Sequence, residues 1–169
     1  MRTVTLKGNP FDLSGTELRE GQKAPDFKIQ LDDLSDANLA TFAGKTRVLC
    51  AVPSIDTPVC DTEMRKFNEK ASALENTVVV CVSMDTPFAL KRWKEGCGAG
   101  LVVTASDHRA ASFGGAYGCL IANGPLERCL SRAVFVIGPD DVLRHVEYVP
   151  EIAQEPAYDA ALAATGIRT

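Results

Sequence analysis

The stretch Ala51-Val-Pro-Ser-Ile-Asp-Thr-Pro-Val-Cys-Asp-Thr-Glu-Met64 decides how this chain is read. Before it, Thr46-Arg-Val-Leu-Cys-Ala-Val52 is a β-branched, apolar run of strand length. After it, Arg65-Lys-Phe-Asn-Glu-Lys-Ala-Ser-Ala-Leu74 repeats its apolar residues at helical spacing. The stretch is therefore a turn from a strand into a helix. Thr57 suits the N-cap, and Pro58 suits the first helical position, where its missing N–H costs nothing. Cys60 then falls at the third helical position. Free backbone N–H groups and the positive end of the helix dipole favour a thiolate there, and the thiolate is the reactive form. Most free cysteines are small buried hydrophobes, but the coincidence of strand, cap, proline and thiol favours reactivity at this one.

Outward from that centre, strands are expected at 46–52, 77–83 and 101–105, with helices at about 57–73, 87–95 and 107–116. Such alternation implies parallel pairing through right-handed crossovers. Arg132-Ala-Val-Phe-Val-Ile137, a Gly-Pro-Asp-Asp turn and Val142-Leu-Arg-His-Val-Glu-Tyr148 read as an antiparallel hairpin, closed by a helix from about Glu155 to Ala164. Residues 3–13 read as an N-terminal β-hairpin turning at Gly8-Asn-Pro10 and covering an edge of the main sheet. Phe27, Ile29 and Leu31 alternate as in a half-buried strand, and 32–43 reads as a connector. The expectation is an α/β chain, one domain over 1–169, with a mixed central sheet flanked by helices.

Composition removes several function classes. A net charge of −4 and no basic run longer than Lys91-Arg92-x-Lys94 argue against nucleic-acid binding and against an anionic membrane surface. No segment approaches the length of a membrane helix, and the N-terminus lacks the apolar core of a signal peptide, so a cytoplasmic location is expected. The six cysteines, at 50, 60, 81, 97, 119 and 129, are too few and too scattered for a disulfide scaffold. With no CxxC pair, and with His108 and His145 far in sequence from any cysteine, a structural metal is not expected. Gly96-Cys-Gly-Ala-Gly100 lacks the Lys-Ser/Thr of a phosphate loop and reads as a mobile loop.

Pro53-x-x-x-Thr57-x-x-Cys60 resembles the active-site pattern of the peroxiredoxins, and the longer Pro-Ser-Ile-Asp-Thr-Pro-Val-Cys resembles their thiol peroxidase branch. Gly8-Asn-Pro10, Phe42-Ala-Gly-Lys45, Asp85-x-Pro-Phe-Ala89, Ala116-Tyr-Gly118, Gly124-Pro-Leu126 and Glu155-Pro-x-Tyr158 extend the likeness over nearly the whole chain. The resemblance implies a thioredoxin-like fold in which Thr57 stands where thioredoxin-like enzymes carry the first cysteine of CxxC. It further implies a thiol-dependent peroxidase acting on hydrogen peroxide and alkyl hydroperoxides, recycled by a thioredoxin-type donor. A homodimer is expected, and no cofactor, since the sulfur performs the redox step.

A thiolate attacking a peroxide needs negative charge stabilised on both sulfur and leaving oxygen. In that scheme Cys60 is the nucleophile, oxidised to a sulfenic acid. Thr57 holds the peroxide, besides capping the helix, and Pro53 shields the thiol from water. Resemblance selects Arg132 as the charge partner; spacing alone does not separate it from Arg128 or Arg65. Glu63 matches a position whose glutamate orients that arginine. Asp61 puts an opposing negative charge beside the thiol, which the arginine and helix end must outweigh. The branch places its resolving cysteine in the helix after Asp-x-Pro-Phe-Ala, but Lys94 occupies that position here. Cys97 lies three residues on, roughly 4.5 Å along a helix and on about the same face, so it is expected to resolve the sulfenic acid. Cys129 is the second candidate, an external thiol the rival, and Cys119 undecided. Cys50 and Cys81, within apolar strand runs, read as inert core.

Overall fold

The computed structural model describes residues 2–166. Strands β1 (Thr3–Leu6) and β2 (Asn9–Ser14) form the N-terminal hairpin. Its turn is Lys7-Gly8, one step earlier than the sequence suggested, with φ of 51° and 81°. Positive φ at both central residues is the geometry that matches the twist of a tight hairpin, and Gly8 adopts it without a Cβ penalty. Asn9 and Pro10 belong instead to β2, opposite Leu6 and Thr5. The hairpin joins β8 (Leu120–Ile121) in a separate three-stranded sheet, and Thr5 pairs with Glu151.

The main sheet is mixed and has seven strands. Its neighbours run β10 (Leu143–Tyr148), β9 (Ala133–Ile137), β5 (Thr46–Ala51), β6 (Thr77–Ser83), β7 (Val102–Ser106), β3 (Ile29–Leu31) and β4 (Asp36–Ala37). The pairs β5–β6 and β6–β7 are parallel, and the rest are antiparallel. Alternating residues divide the core. Leu49, Ala51, Val80, Val82 and Phe135 face a layer holding Phe27, Phe113 and Tyr117. Val48, Cys50, Val79, Cys81, Val134 and Val136 face α1 (Pro58–Ala71), α2 (Pro87–Cys97) and α4 (Tyr158–Ala163). On α1 the buried residues are Cys60, Glu63, Met64 and Phe67, a spacing of one helical face.

Helix α3 (Ser112–Ala116) is much shorter than the helix expected over 107–116. Ala111 has φ 51°, which interrupts the helix, and the Asp107 carboxylate accepts the N–H groups of Phe113 and Gly114 at 3.0 and 2.8 Å. Helix α2 does the opposite. It runs through Cys97 and stops at Gly98, whose φ of 67° makes it a left-handed C-cap. Gly96 and Cys97 are therefore helical, and the mobile-loop reading of 96–100 is corrected at its first two residues. The connector over 32–43 resolves into β4 and a 3₁₀ turn at Leu39–Phe42. Among the described residues no helix is long and apolar enough to cross a membrane, and no group of metal-ligating side chains is assembled.

Candidate active site

The ladder of β5 ends with Val52, whose N–H reaches the Val82 carbonyl at 3.0 Å. From there the chain passes through buried Pro53 into α1, and one carboxylate fixes its path. Asp85, just past β6, accepts from Ser54 Oγ at 2.8 Å, Ile55 N at 2.7 Å and Ser83 Oγ at 2.7 Å. Ile55 turns inward with no exposed surface. Replacing Asp85 by Ala leaves the Ile55 N–H without its acceptor, a cost of about 1–3 kcal/mol for a buried donor. We expect a lower melting temperature and slower reaction of Cys60 with peroxide, checked by thermal denaturation and stopped-flow kinetics.

Thr57 occupies the N-cap position, but its hydroxyl makes no capping bond. It donates instead to the Ser54 carbonyl at 2.8 Å, so the expected cap is replaced by a turn bond. The first helical bond runs from Asp61 N to Thr57 O at 3.0 Å. The N–H groups of Val59 and Cys60 thus belong to the unpaired first turn.

Cys60 has no exposed surface, and its Sγ accepts from Arg132 Nη2 at 3.3 Å. Arg132 reaches it because β9 pairs antiparallel with β5, Ala133 opposite Ala51. The residue before that pair lies beyond the end of β5, where the chain turns into α1. Its other two nitrogens are engaged as well: Nη1 donates to Glu63 Oε2 at 2.5 Å and Nε to the Ile152 carbonyl at 3.0 Å. Burial opposes the charge on Arg132, but Cys60 and Glu63 outweigh it and strengthen its hold on the proton.

Glu63 is also fully buried, and its Oε1 has no hydrogen-bond partner among the described residues. Burial pushes its carboxyl up to about 7, against the pull of Arg132. A carboxyl raised from its ordinary 4.5 contributes stability that is complete below 4.5 and lost as pH rises through about 7. At about 1.4 kcal/mol per tenfold change in proton affinity, the advantage of wild type over Glu63→Gln should shrink by up to about 3 kcal/mol between pH 4.5 and 8. Urea unfolding of both proteins across that range checks this.

Asp61 sits beside the thiol in sequence, yet its carboxylate is committed to α2 and to its own helix. Trp93 Nε1 donates to one oxygen at 2.6 Å and Arg65 Nε to the other at 2.9 Å. Burial opposes ionisation of Asp61, and these two bonds more than compensate, holding it below the usual carboxylate range. The opposing charge expected next to the sulfur is thereby paired.

Pro53, Thr57, Cys60 and Arg132 are thus gathered where β5 gives way to α1. Cys97 is held elsewhere, in the last turn of α2, half-buried, with its Sγ 3.9 Å from the Lys94 carbonyl. All six cysteines are free thiols. Lys94 lies 3.7 Å from Asp32 Oδ2 in a partly buried pair. Cys50 and Cys81 lie opposite each other on β5 and β6, and burial raises both thiols well above their ordinary range. Burial likewise raises Cys119, and burial with the charge of Asp85 raises Cys129. Asp85 and Ile152 were not singled out from sequence as parts of the site. Asp85 lies in the Asp85-x-Pro-Phe-Ala89 segment that resembles the thiol peroxidase branch, which is the signal available for it. Nothing local marks a carbonyl such as that of Ile152.

This arrangement is that of a single thiol paired with a buried arginine on a thioredoxin-like scaffold. Residues 19–162 match the Redoxin family. The chain is 49% identical over 166 residues to a thiol peroxidase of Leptospira interrogans, covering 97% of each chain. It is 46% identical over 162 residues to a thiol peroxidase of Oceanobacillus iheyensis, covering 96% of this chain and 97% of the other. A crystal structure of a peroxiredoxin-like protein from Aquifex aeolicus superposes with a TM-score of 0.92 at 42% identity, covering 98% of this chain and 96% of that one. A thiol peroxidase from Chromobacterium violaceum shares the fold, with a TM-score of 0.89 at 21% identity and coverage of 95% and 93%. The chain therefore belongs to the redoxin family, and within it to the thiol peroxidase branch of the peroxiredoxins.

Proposed function

We propose that this peroxiredoxin-type peroxidase reduces hydrogen peroxide and alkyl hydroperoxides at Cys60, resolves the product with Cys97, and is recycled by a thioredoxin-type dithiol. The observation that carries the reading is the Arg132 Nη2 to Cys60 Sγ bond of 3.3 Å, inside the first turn of α1. The Cys60 thiolate attacks one peroxide oxygen, the O–O bond breaks, and the other oxygen leaves as alkoxide or hydroxide and takes up a proton. Sulfur is oxidised to the sulfenic acid and the peroxide is reduced to alcohol or water. Arg132 steadies the charge on sulfur and on the departing oxygen, Thr57 directs the peroxide through its hydroxyl, and Pro53 excludes water.

The Cys97 thiolate then attacks the sulfenic sulfur, an S–S bond forms, and hydroxide leaves with a proton as water. An external dithiol reduces that disulfide and becomes oxidised. A disulfide needs its Cα atoms within about 7 Å, closer than the axes of two packed helices usually come, so the last turns of α2 unwind in this scheme. Three ties must yield: Trp93 to Asp61, Arg92 to Asp56 at 3.1 Å, and Lys94 to Asp32. Hydrogen exchange along 90–100 should accelerate on oxidation. The homodimer expected from the resemblance belongs to the same reading and is checked by sedimentation.

The test is non-reducing peptide mass spectrometry after one equivalent of hydrogen peroxide, on wild type and Cys97→Ser. A Cys60–Cys97 bridge in wild type, replaced by sulfenic or sulfinic Cys60 in the variant, supports the full cycle. Pairing of Cys60 with Cys129 or Cys119, or an unpaired Cys60 in wild type, removes Cys97 from it and leaves resolution to another thiol.

A further inference from the structure

Arg132 can serve Cys60 only while its guanidinium is aimed, and one of the three acceptors that aim it is a backbone carbonyl, that of Ile152. Ile152 lies in the segment after β10, outside regular structure, so something must hold it. The near end of the segment is tied to the arginine itself: Val149 N donates to the Arg132 carbonyl at 3.0 Å. The far end is tied to the N-terminal hairpin. Thr5 N donates to the Pro150 carbonyl at 2.9 Å, and Ile152 N to the Thr5 carbonyl at 2.8 Å. Between them, the Glu151 carboxylate accepts from Thr5 Oγ1 at 2.7 Å, Lys7 N at 2.9 Å, Gly8 N at 3.3 Å and Ala153 N at 3.2 Å.

Lys7 and Gly8 are the positive-φ turn residues, and their N–H groups point out of the hairpin at this single carboxylate. The Ile152 side chain is buried against Val4, Leu13 and Ile121, which fixes the same segment from its apolar side. A tight turn, a carboxylate and a carbonyl thus form one connected path from the hairpin to the arginine, and from the arginine to sulfur.

We infer that the N-terminal hairpin is part of the catalytic machinery, with Glu151 a positioning residue that holds the Ile152 carbonyl where it orients Arg132 toward Cys60. The hydrogen bond from Thr5, followed by those from Lys7, Ala153 and Gly8, holds the Glu151 carboxyl down to about 2, so the clamp is charged at neutral pH. The inference rests on the peroxidase reading of Cys60 and Arg132.

The test is a double-mutant cycle on the full chain, because coupling through a shared partner shows as non-additivity. Single-turnover rates of Cys60 oxidation by hydrogen peroxide are measured for wild type, Glu151→Ala, Arg132→Met and the double variant. Melting temperature is recorded for each. Glu151→Ala is expected to slow oxidation about tenfold in wild type and to have no further effect once Arg132 is replaced. Thr5→Val, which removes one clamp donor and leaves Glu151 in place, should give a smaller loss with the same non-additivity, and it serves if Glu151→Ala does not fold. Losses that multiply in the double variant, or a fall in melting temperature with the oxidation rate unchanged, overturn the inference. If Arg132→Met alone oxidises at the wild-type rate, the reading of Arg132 as the charge partner of Cys60 fails instead, and a Cys60 that stays reduced in wild type sinks the peroxidase reading itself; both are distinguishable from failure of the clamp.

Discussion

Cys60→Ser is expected to lose peroxide turnover by a factor on the order of 10⁴ or more, as enzymes do when the activated nucleophile is removed. The hydroxyl that replaces the thiol is a far weaker nucleophile, and among the described residues no base is hydrogen-bonded at that position to take its proton. Among the described residues its side-chain hydrogen-bond partner is Arg132, a donor that assists a sulfur anion but does nothing to ionise a serine. The fold should tolerate the change, because Ser fills nearly the same space in the cluster of Val52, Ile55 and Met64. Peroxide consumption with a dithiol donor, beside a circular-dichroism melt, checks both halves. A variant that keeps its melt and loses its turnover is the expected pair of results.

Arg132→Met should slow Cys60 oxidation by about 10²–10³, the usual cost of deleting a charge-stabilising donor in a water-excluded site. Here the effect on stability needs separating from the effect on chemistry. Removing the guanidinium strands Glu63, which is buried and has no other partner for its carboxylate among the described residues. Breaking such a pair costs about 3–5 kcal/mol if the survivor stays charged. Glu63 has an escape, since burial already pushes its carboxyl up to about 7, so without Arg132 it takes up a proton near neutral pH. Arg132→Met should therefore be more stable at pH 6 than at pH 8. The double variant Arg132→Met/Glu63→Gln should remove that pH dependence without restoring activity. Urea unfolding at the two pH values, set against oxidation rates, tells the structural and chemical roles apart.

The part of the molecule legible from sequence is the part encoded over short distances. The run 46–52, the Thr-Pro step and the helical spacing after it are local signals, and the structure contains that strand, turn and helix. The mixed sheet follows from the same logic, because strands alternating with helices leave few topologies. Where local signals are thin, the structure departs from them. The sequence around 107–116 looks helical throughout, but a left-handed Ala111 and the Asp107 carboxylate start the helix late. Glycine at 96 suggested the end of α2, whereas Gly98 provides it.

For the site, Cys60 is marked by its place in the helix, but Arg132 is not marked by anything near it. It joins Cys60 through antiparallel pairing of strands more than eighty residues apart, and only the resemblance selected it. Asp85 and Glu151 were harder still. Each acts by collecting N–H and hydroxyl donors from distant segments, and an acidic residue in a loop looks the same in sequence whether or not it does so. The hydroxyl of Thr57, suited to a cap, is drawn to the Ser54 carbonyl once Asp85 has set the loop.

The most direct test of the central assignment is quenched-flow peptide mapping with one equivalent of hydrogen peroxide, scoring oxidation at all six cysteines in the first turnover. The account predicts that Cys60 is oxidised first and alone, with Cys50, Cys81, Cys119 and Cys129 unchanged and Cys97 consumed only afterwards. A Cys60 that remains reduced while any other thiol oxidises would contradict it.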